Sequence, residues 1–465
     1  MRSARLAFFQ GDVKIASADN TSASTAVLNM PLAQGVRITT GSDGQAEIEF
    51  EDGSLIRLTP YTSLLLTSLS TGSDANQTDL SLLNGLAYAE LRASSKYPYH
   101  LDADGDVISP LQNATIRIDL DTPPATIAVL DGTAHIERPG AAGYHSDIQS
   151  GETFRADASD TSRYFLTVGI TPNSWDAWNQ DRDQLAASEA DHATTARDDY
   201  AGSQGYGWSD LDANGSWYDV PGQGRVWQPD VAQDPDFDPY GYGAWVWYPG
   251  TGYVWASGYS WGWTPFRCGG WSYWDNFGWG WAPGASCGYP GWGFGAGGVY
   301  SINIVQPPRG YRLLPLPGRS PAGVHPIVPI RIGHLPERPI QPREGPVTIA
   351  GQTVQPLAPL HPHPGSVNGE AAPIGASLRR DYPVDRTTHQ PVLGQAVTPG
   401  QSPALTPRPV RPGAYADRPQ PERQPSGNTG QVPRYNTPPP PRPAPPPRSS
   451  PPPSAPRSAP ASRPK

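Results

Sequence analysis

All fifteen tryptophans of this chain lie between Trp175 and Trp292, and most recur in one pattern of tryptophan, glycine and proline. The clearest copies are Trp245-Val-Trp247, Trp261-Gly-Trp263-Thr-Pro265 and Trp279-Gly-Trp281-Ala-Pro283. Indole is the bulkiest apolar side chain, and its single N–H needs an acceptor when buried. A segment so rich in it folds as an aromatic core or presents a recognition surface. By the two-residue period of a strand, Trp245 shares a face with Trp247. The same holds for Tyr253 with Trp255, Trp261 with Trp263, Trp271 with Tyr273, and Trp279 with Trp281. Between the later pairs, Gly262, Ser272 and Gly280 leave the opposite face small. Ala244–Tyr248, the turn Pro249-Gly-Thr-Gly252 and Tyr253–Trp255 read as one hairpin. Trp271–Trp274, Asp275–Gly278 and Trp279–Trp281 read as another. The two Trp-Gly-Trp-x-Pro copies stand 18 residues apart, which predicts a short β-repeat over residues 205–300.

The flanking sequence has other rules. Residues 4–168 carry short alternating runs separated by Gly, Asp, Asn and Pro. Gln45–Phe50 and Leu55–Leu58 are joined through Asp52-Gly53, a strong hairpin signal, and Asp131-Gly132 is a second tight turn. Many short strands at close spacing predict a sandwich, barrel or β-solenoid, in a chain that is mainly β. At residues 171–200 the period changes. Thr171-Pro172 offers a helix start, and Trp175, Trp178 and Leu185 share a face opposite Asp181, Asp183 and Glu189. One amphipathic linker helix is expected there, ended by Gly202–Gly205. Residues 301–465 hold 41 of the 57 prolines and a net charge of +12, against −21 for residues 1–300. This composition reads as a disordered, polyproline-like tail, whose charge suits an anionic surface or its own acidic body.

The chemistry of an enzyme is absent from the motifs. His361-Pro-His363 lies in the proline tail, and no HExxH-like spacing accompanies it, so no metal site is expected. Asp102-Ala-Asp104-Gly105-Asp106 begins like a calcium loop, but Val107 and Asn113 stand where that loop needs Gly and Glu. No P-loop, GxSxG or SxxK occurs, and no cofactor is expected. The only cysteines, Cys268 and Cys287, sit inside the Trp-rich segment. They read as a disulfide worth about 3 kcal/mol in an oxidising compartment, or as two free thiols. No run of 18 apolar residues is present, so the chain as given is not an integral membrane protein. Leu6–Phe9 is too short for a signal-peptide core, which leaves a cytosolic chain or a leader trimmed or lost by a late start.

Several of these residues resemble a known family. Arg5-Leu-Ala-Phe-Phe-Gln-Gly-Asp-Val13, Met30-Pro-Leu32, Gly35-Val-Arg-Ile38, Gln45-Ala-Glu-Ile48, Ile56-Arg-Leu58 and Ile116-Arg-Ile-Asp119 together resemble the FecR domain of bacterial envelope proteins. The following Trp175-Asp-Ala-Trp178, Gly215-Ser-Trp217, Gly224-Arg-Val-Trp227-Gln-Pro229 and the Trp-x-Trp copies resemble a Trp-rich module that follows such domains. The resemblance implies a periplasmic or cell-surface β-domain. It also implies a role in passing a signal from an outer-membrane receptor to a sigma factor, although the family's cytoplasmic segment and membrane helix are not in this sequence.

Two function classes follow. The first is non-catalytic binding or scaffolding at the envelope, with an envelope polysaccharide or protein as partner and nucleic acid disfavoured. Its candidate ligand residues are Tyr240, Trp245, Trp247, Trp255, Trp261, Trp263, Trp279 and Trp281, with Tyr240, Trp245 and Trp255 expected to face solvent. The alternative is a periplasmic FecR-like sensor in trans-envelope signalling.

Overall fold

The structure is a computed structural model, and it describes residues 2–16, 23–70, 76–140, 143–160, 162–190, 193–201, 207–248, 252–284, 287, 303–312, 330–333, 343 and 345–358. Two nine-stranded sheets share one hydrophobic core in the N-terminal part. The chain lays two strands in one sheet, turns a corner, and lays the next two in the other. Gln45–Glu49 and Leu55–Leu58 pair in the first sheet, then Ser63–Leu69 and Thr78–Asn84 in the second. Leu86–Leu91 returns to the first sheet, and Tyr99–Ala103 then pairs parallel to Thr78–Asn84, closing one full coil. Past the first few strands, order in each sheet follows order in sequence. The result is a sandwich built as a solenoid would be. Both expected architectures are therefore present in one object.

Glycine marks the corners. Gly85 (φ +91°) and Gly132 (φ +78°) take backbone conformations that L residues seldom adopt. A Cβ on Gly132 would lie 2.0 Å from the Asn113 carbonyl oxygen. Asp131-Gly132 thus makes the expected tight turn, but Thr126–Asp131 and Thr133–Glu137 belong to different sheets. Asp104 and Gly105, both at positive φ, form a two-residue hairpin turn. Asp106 behind them is buried and accepts from Arg138 Nε at 2.9 Å and Tyr144 Oη at 2.6 Å. Among the described residues no group of three or more His, Cys, Asp or Glu is placed to hold a metal ion, and no helix is long and apolar enough to cross a membrane.

The expected linker helix is two helices, α1 (Asp176–Ala190) and α2 (Thr195–Ala201). The start of α1 is set by Asn173, not Thr171. Asn173 Oδ1 accepts from the Trp175 amide at 2.9 Å, and the Asp176 carboxylate accepts from the Asn173 amide at 2.7 Å. This is the reciprocal capping box. Thr171 instead gives its carbonyl to Arg117 at 2.7 Å. The break before α2 is held by Asp212, which accepts from both the amide and the hydroxyl of Thr194 at 3.0 Å. A third helix, α3 (Ser209–Ala213), leads into the Trp-rich segment.

That segment folds as a five-stranded and a three-stranded sheet. Both recruit chain from beyond residue 300. Ile304–Gln306 pairs parallel with Gly270–Trp274, and Ile330–Ile332 pairs with Gly243–Tyr248. The hairpin Val347–Ile349/Gln352–Val354 packs its Val347, Ile349 and Val354 on Tyr218, Val220, Val226, Trp274 and Phe277. The tail expected from residue 301 is therefore structured where it is described, as far as residue 358. The expected turn at Pro249–Thr251, the helix stop at Gly202–Gly205, Trp292, His361-Pro-His363 and the terminal proline runs lie outside the described residues.

Candidate functional site

Three hairpins of the Trp-rich segment share one layout. Gly215-x-Trp217 runs to Gly224 and Trp227, Gly243-x-Trp245 to Gly252 and Trp255, and Gly269-x-Trp271 to Gly278 and Trp281. Each has a Gly nine positions before a loop Gly, and its two Trp ten positions apart. In each, the two tryptophans stand directly opposite across the strands. This repeat supersedes the 18-residue one expected from Trp-Gly-Trp-x-Pro. Trp279 and Trp281 lie on a strand, whereas Trp261 and Trp263 lie in the bend leading to the short helix Thr264–Phe266. The signal was in the sequence, as Gly-x-Trp followed by Gly-x-x-Trp, and the more conspicuous Trp-Gly-Trp pairs concealed it.

The first and third hairpins meet edge to edge, with Trp227 opposite Trp281. Four indoles, Trp217, Trp227, Trp281 and Trp271, therefore stand abreast across four strands, and all four are buried. The glycines explain how. A Cβ on Gly215 would lie 2.8 Å from the Trp227 ring, on Gly243 2.6 Å from the Trp255 ring, and on Gly269 2.7 Å from Trp281 Nε1. The rings of Trp227, Trp255 and Trp281 each lie against a glycine of the same hairpin's other arm, where a side chain would collide. Three of the ring N–H groups end on carbonyls: Trp227 donates to Leu211 at 3.0 Å, Trp271 to Pro265 at 3.1 Å, and Trp281 to Cys268 at 2.9 Å. Cys268 and Cys287 are joined in a disulfide with Cα atoms 5.4 Å apart.

The candidate ligand residues divide accordingly. Tyr240, Trp245 and Trp255, expected at the surface, are buried; Trp245 and Trp255 meet edge to face at 5.2 Å, and Tyr240 packs on Trp255 and Phe266. Trp261, Trp263, Trp279 and Trp281 are also buried. Trp261 stacks on Tyr259 with centroids 4.8 Å apart, and the Arg267 guanidinium sits 4.4 Å from the Trp263 ring centre. Only Trp247 is half-buried, edge to face with half-buried Tyr253 at 5.4 Å. The physical reason is the second layer. Period two gives the hairpin Gly243–Ser257 an aliphatic face, and Ala244, Val246, Tyr248, Val254 and Ala256 join the core of the N-terminal sandwich. The aromatic face then turns inward to the remaining rings.

A second set of contacts joins the two parts through charge. On the outer face of the first sheet, one rung carries Phe8, Glu47, Arg57, Tyr88 and Arg117 side by side. Helix α1 lies along it. Trp175 and Trp178 pack on Tyr88, and Asp176 accepts from Tyr88 Oη at 2.8 Å and from Arg117 Nη1 at 2.7 Å. Arg57, almost wholly buried, donates to Glu47 at 2.7 Å and to Glu90 and Asp183 at 2.5 Å each. Asp183, expected on the solvent side of the helix, is therefore drawn into this network. Arg182 reaches Glu47 at 3.0 Å and covers the Phe8 ring. On the next rung Arg5 pairs with Glu49 and with Asp210 of α3, the latter at 2.6 Å. Burial pushes the Glu49 and Glu90 carboxyls up, to about 7 and about 8, with nearby Asp210 and Asp183 adding to the rise against Arg5 and Arg57. Burial also acts on Glu47, but Arg182 and Arg57 outweigh it and hold that carboxyl at about 2. Sequence reading missed this junction because each charge lies in an ordinary amphipathic strand or helix, and strand register together with the docking of α1 and α3 brings them together.

Comparison with known proteins places two families on this chain. Residues 36–135 match the family described as FecR protein, and residues 208–299 match a family of unknown function, DUF6600. The chain thus carries a FecR domain within the sandwich, and the second match spans the three hairpins. No curated protein matches the chain in sequence. Two crystal structures of a candidate anti-sigma factor from Parabacteroides distasonis share 12% and 10% identity with it, at TM-scores of 0.26 and 0.25. The matches cover 31% and 30% of this chain and 64% and 63% of those chains, so this chain spans less than two thirds of their length.

Proposed function

We propose that this FecR-domain chain is a non-catalytic signalling component of the bacterial envelope, which receives a protein partner on the periplasmic side and passes its state on through a separate inward-facing protein. The observation that carries the reading is the FecR match to residues 36–135, which falls on the sandwich itself. The burial of the tryptophans supports it further, because it removes the broad stacking surface that glycan binding would use. An exported location is supported by the Cys268–Cys287 disulfide, a bond that persists in oxidising compartments. The basic, proline-rich tail is assigned the role of a tether to an anionic layer of the envelope. Deleting the gene in the native host and profiling transcripts is the direct test. A change confined to the targets of one sigma factor supports the reading, and an unchanged profile under every envelope stress tried contradicts it.

A second reading, scaffolding through an envelope polysaccharide, has one observation in its favour: the half-buried Trp247–Tyr253 pair. Retention of the chain on peptidoglycan or insoluble polysaccharide, lost on Trp247→Ala, would favour it. Unchanged retention in that variant would count against it.

A further inference from the structure

Four strands end the two large sheets, and three of these edges are blunted. Pro31–Leu32 and Ser24–Thr25 are two residues long. At that end the hairpin Gly243–Ser257 covers the core, and Tyr248 Oη donates to the Arg2 carbonyl at 3.2 Å. At the far end, His145–Gln149 exposes His145, Asp147 and Gln149. Short edges and exposed polar groups are the usual protection against strand addition. The fourth edge, Tyr164–Val168, is five residues long and has Thr167 as its one exposed polar side chain. It is Tyr-Phe-Leu-Thr-Val, without charge, Pro or Gly, and Phe165, Leu166 and Val168 are 54%, 45% and 86% exposed. Leu166 stands opposite core residue Phe154, so it and Val168 lie on the core side of the sheet. They are exposed because the second sheet has no strand to cover them. Among the described residues nothing pairs with the outer edge of this strand.

We infer that Tyr164–Val168 pairs antiparallel with the same strand of a second copy of this chain, joining two sandwiches end to end. The strand suits its own copy. Centred on Leu166, a two-fold pairing sets Leu166 against Leu166, Phe165 against Thr167 and Tyr164 against Val168. Core-side residues then meet core-side residues and bury Leu166 and Val168 of both copies. No charged side chain of the strand meets its own image, which is the condition that a self-complementary edge must satisfy. Five residues make a contact smaller than a standard interface, so the dimer is a concentration-dependent one.

Sedimentation of the full chain over a concentration series tests this directly. The expected result is a monomer–dimer equilibrium, weakened about tenfold or more by Leu166→Lys, which sets two like charges face to face. Val168→Lys, at a position open to solvent, is expected to weaken it as well without disturbing the fold, checked by circular dichroism. Oxidation of Leu166→Cys is expected to cross-link two copies, while Phe165→Cys stays monomeric under the same conditions. A monomer at every concentration overturns the proposal. So does a dimer unaffected by both lysine variants, or one that cross-links through Phe165→Cys and not Leu166→Cys.

Discussion

Arg57 is the residue on which the docking of α1 depends. Its guanidinium is 1% exposed and touches Glu47, Glu90 and Asp183, with Asn179 Oδ1 at 2.8 Å. Without Arg57, buried Glu47 keeps only Arg182, and removing one partner of a buried ion pair typically costs about 3–5 kcal/mol. Arg57→Met is therefore expected to lower the unfolding free energy by about that amount, read from denaturant titration at pH 7. The same network sets a pH response. Glu49 and Glu90 ordinarily titrate near 4.5, and in the fold near 7 and 8. Between those values the folded chain keeps protons that the unfolded chain has released, so stability falls as pH rises from about 4.5 to 8. Glu47 works in the opposite sense: its contribution is full above about 4.5 and is lost as pH falls towards 2. Unfolding midpoints measured across this range are expected to decline from pH 5 to pH 8, and Glu90→Gln is expected to flatten the decline. A midpoint that rises with pH over that interval would contradict the assignment.

At the scale of elements, the repeat is a hairpin in which a glycine on one strand receives the indole of the next. Small-to-large changes in such a contact force backbone or ring to move, typically at about 1–3 kcal/mol. Gly215→Ala is expected to destabilise by that amount, since its Cβ would also lie 2.3 Å from the Gln228 carbonyl oxygen. Gly222→Ala offers a control at a loop glycine whose Cβ would meet nothing within 4 Å, though its φ of +78° carries a cost of its own. Equal stability of Gly215→Ala and the wild type would remove the explanation given for the Trp–Gly pairing. Much of this level was legible in the sequence. The hairpins at Gln45–Leu58, Ala244–Trp255 and Trp271–Trp281 follow from alternation and turn residues, as does the aromatic face. What alternation cannot give is the surroundings of each face. Val246 and Trp247 are neighbours in one strand, yet the sandwich core claims the first, and the second is left half-buried. The single helix expected over 171–200 failed for a similar reason, because Asp212, distant in sequence, holds Thr194.

At the scale of the whole molecule, sandwich and Trp-rich segment are one structure. They share an aliphatic core through the hairpin Gly243–Ser257, and a buried charged junction through α1 and α3. The described residues all fall in one compact unit, although the sequence divides its composition so sharply near residue 170. The claim can be read with two probes in one experiment. All fifteen tryptophans lie beyond residue 174, so their fluorescence reports α1 and the aromatic module, whereas far-ultraviolet circular dichroism is dominated by the strands of the sandwich. Urea unfolding followed by both signals on the full chain is expected to give coincident midpoints, as a single cooperative unit requires. Two separate transitions, with the tryptophans reaching solvent while the sandwich stays folded, would contradict a fused core.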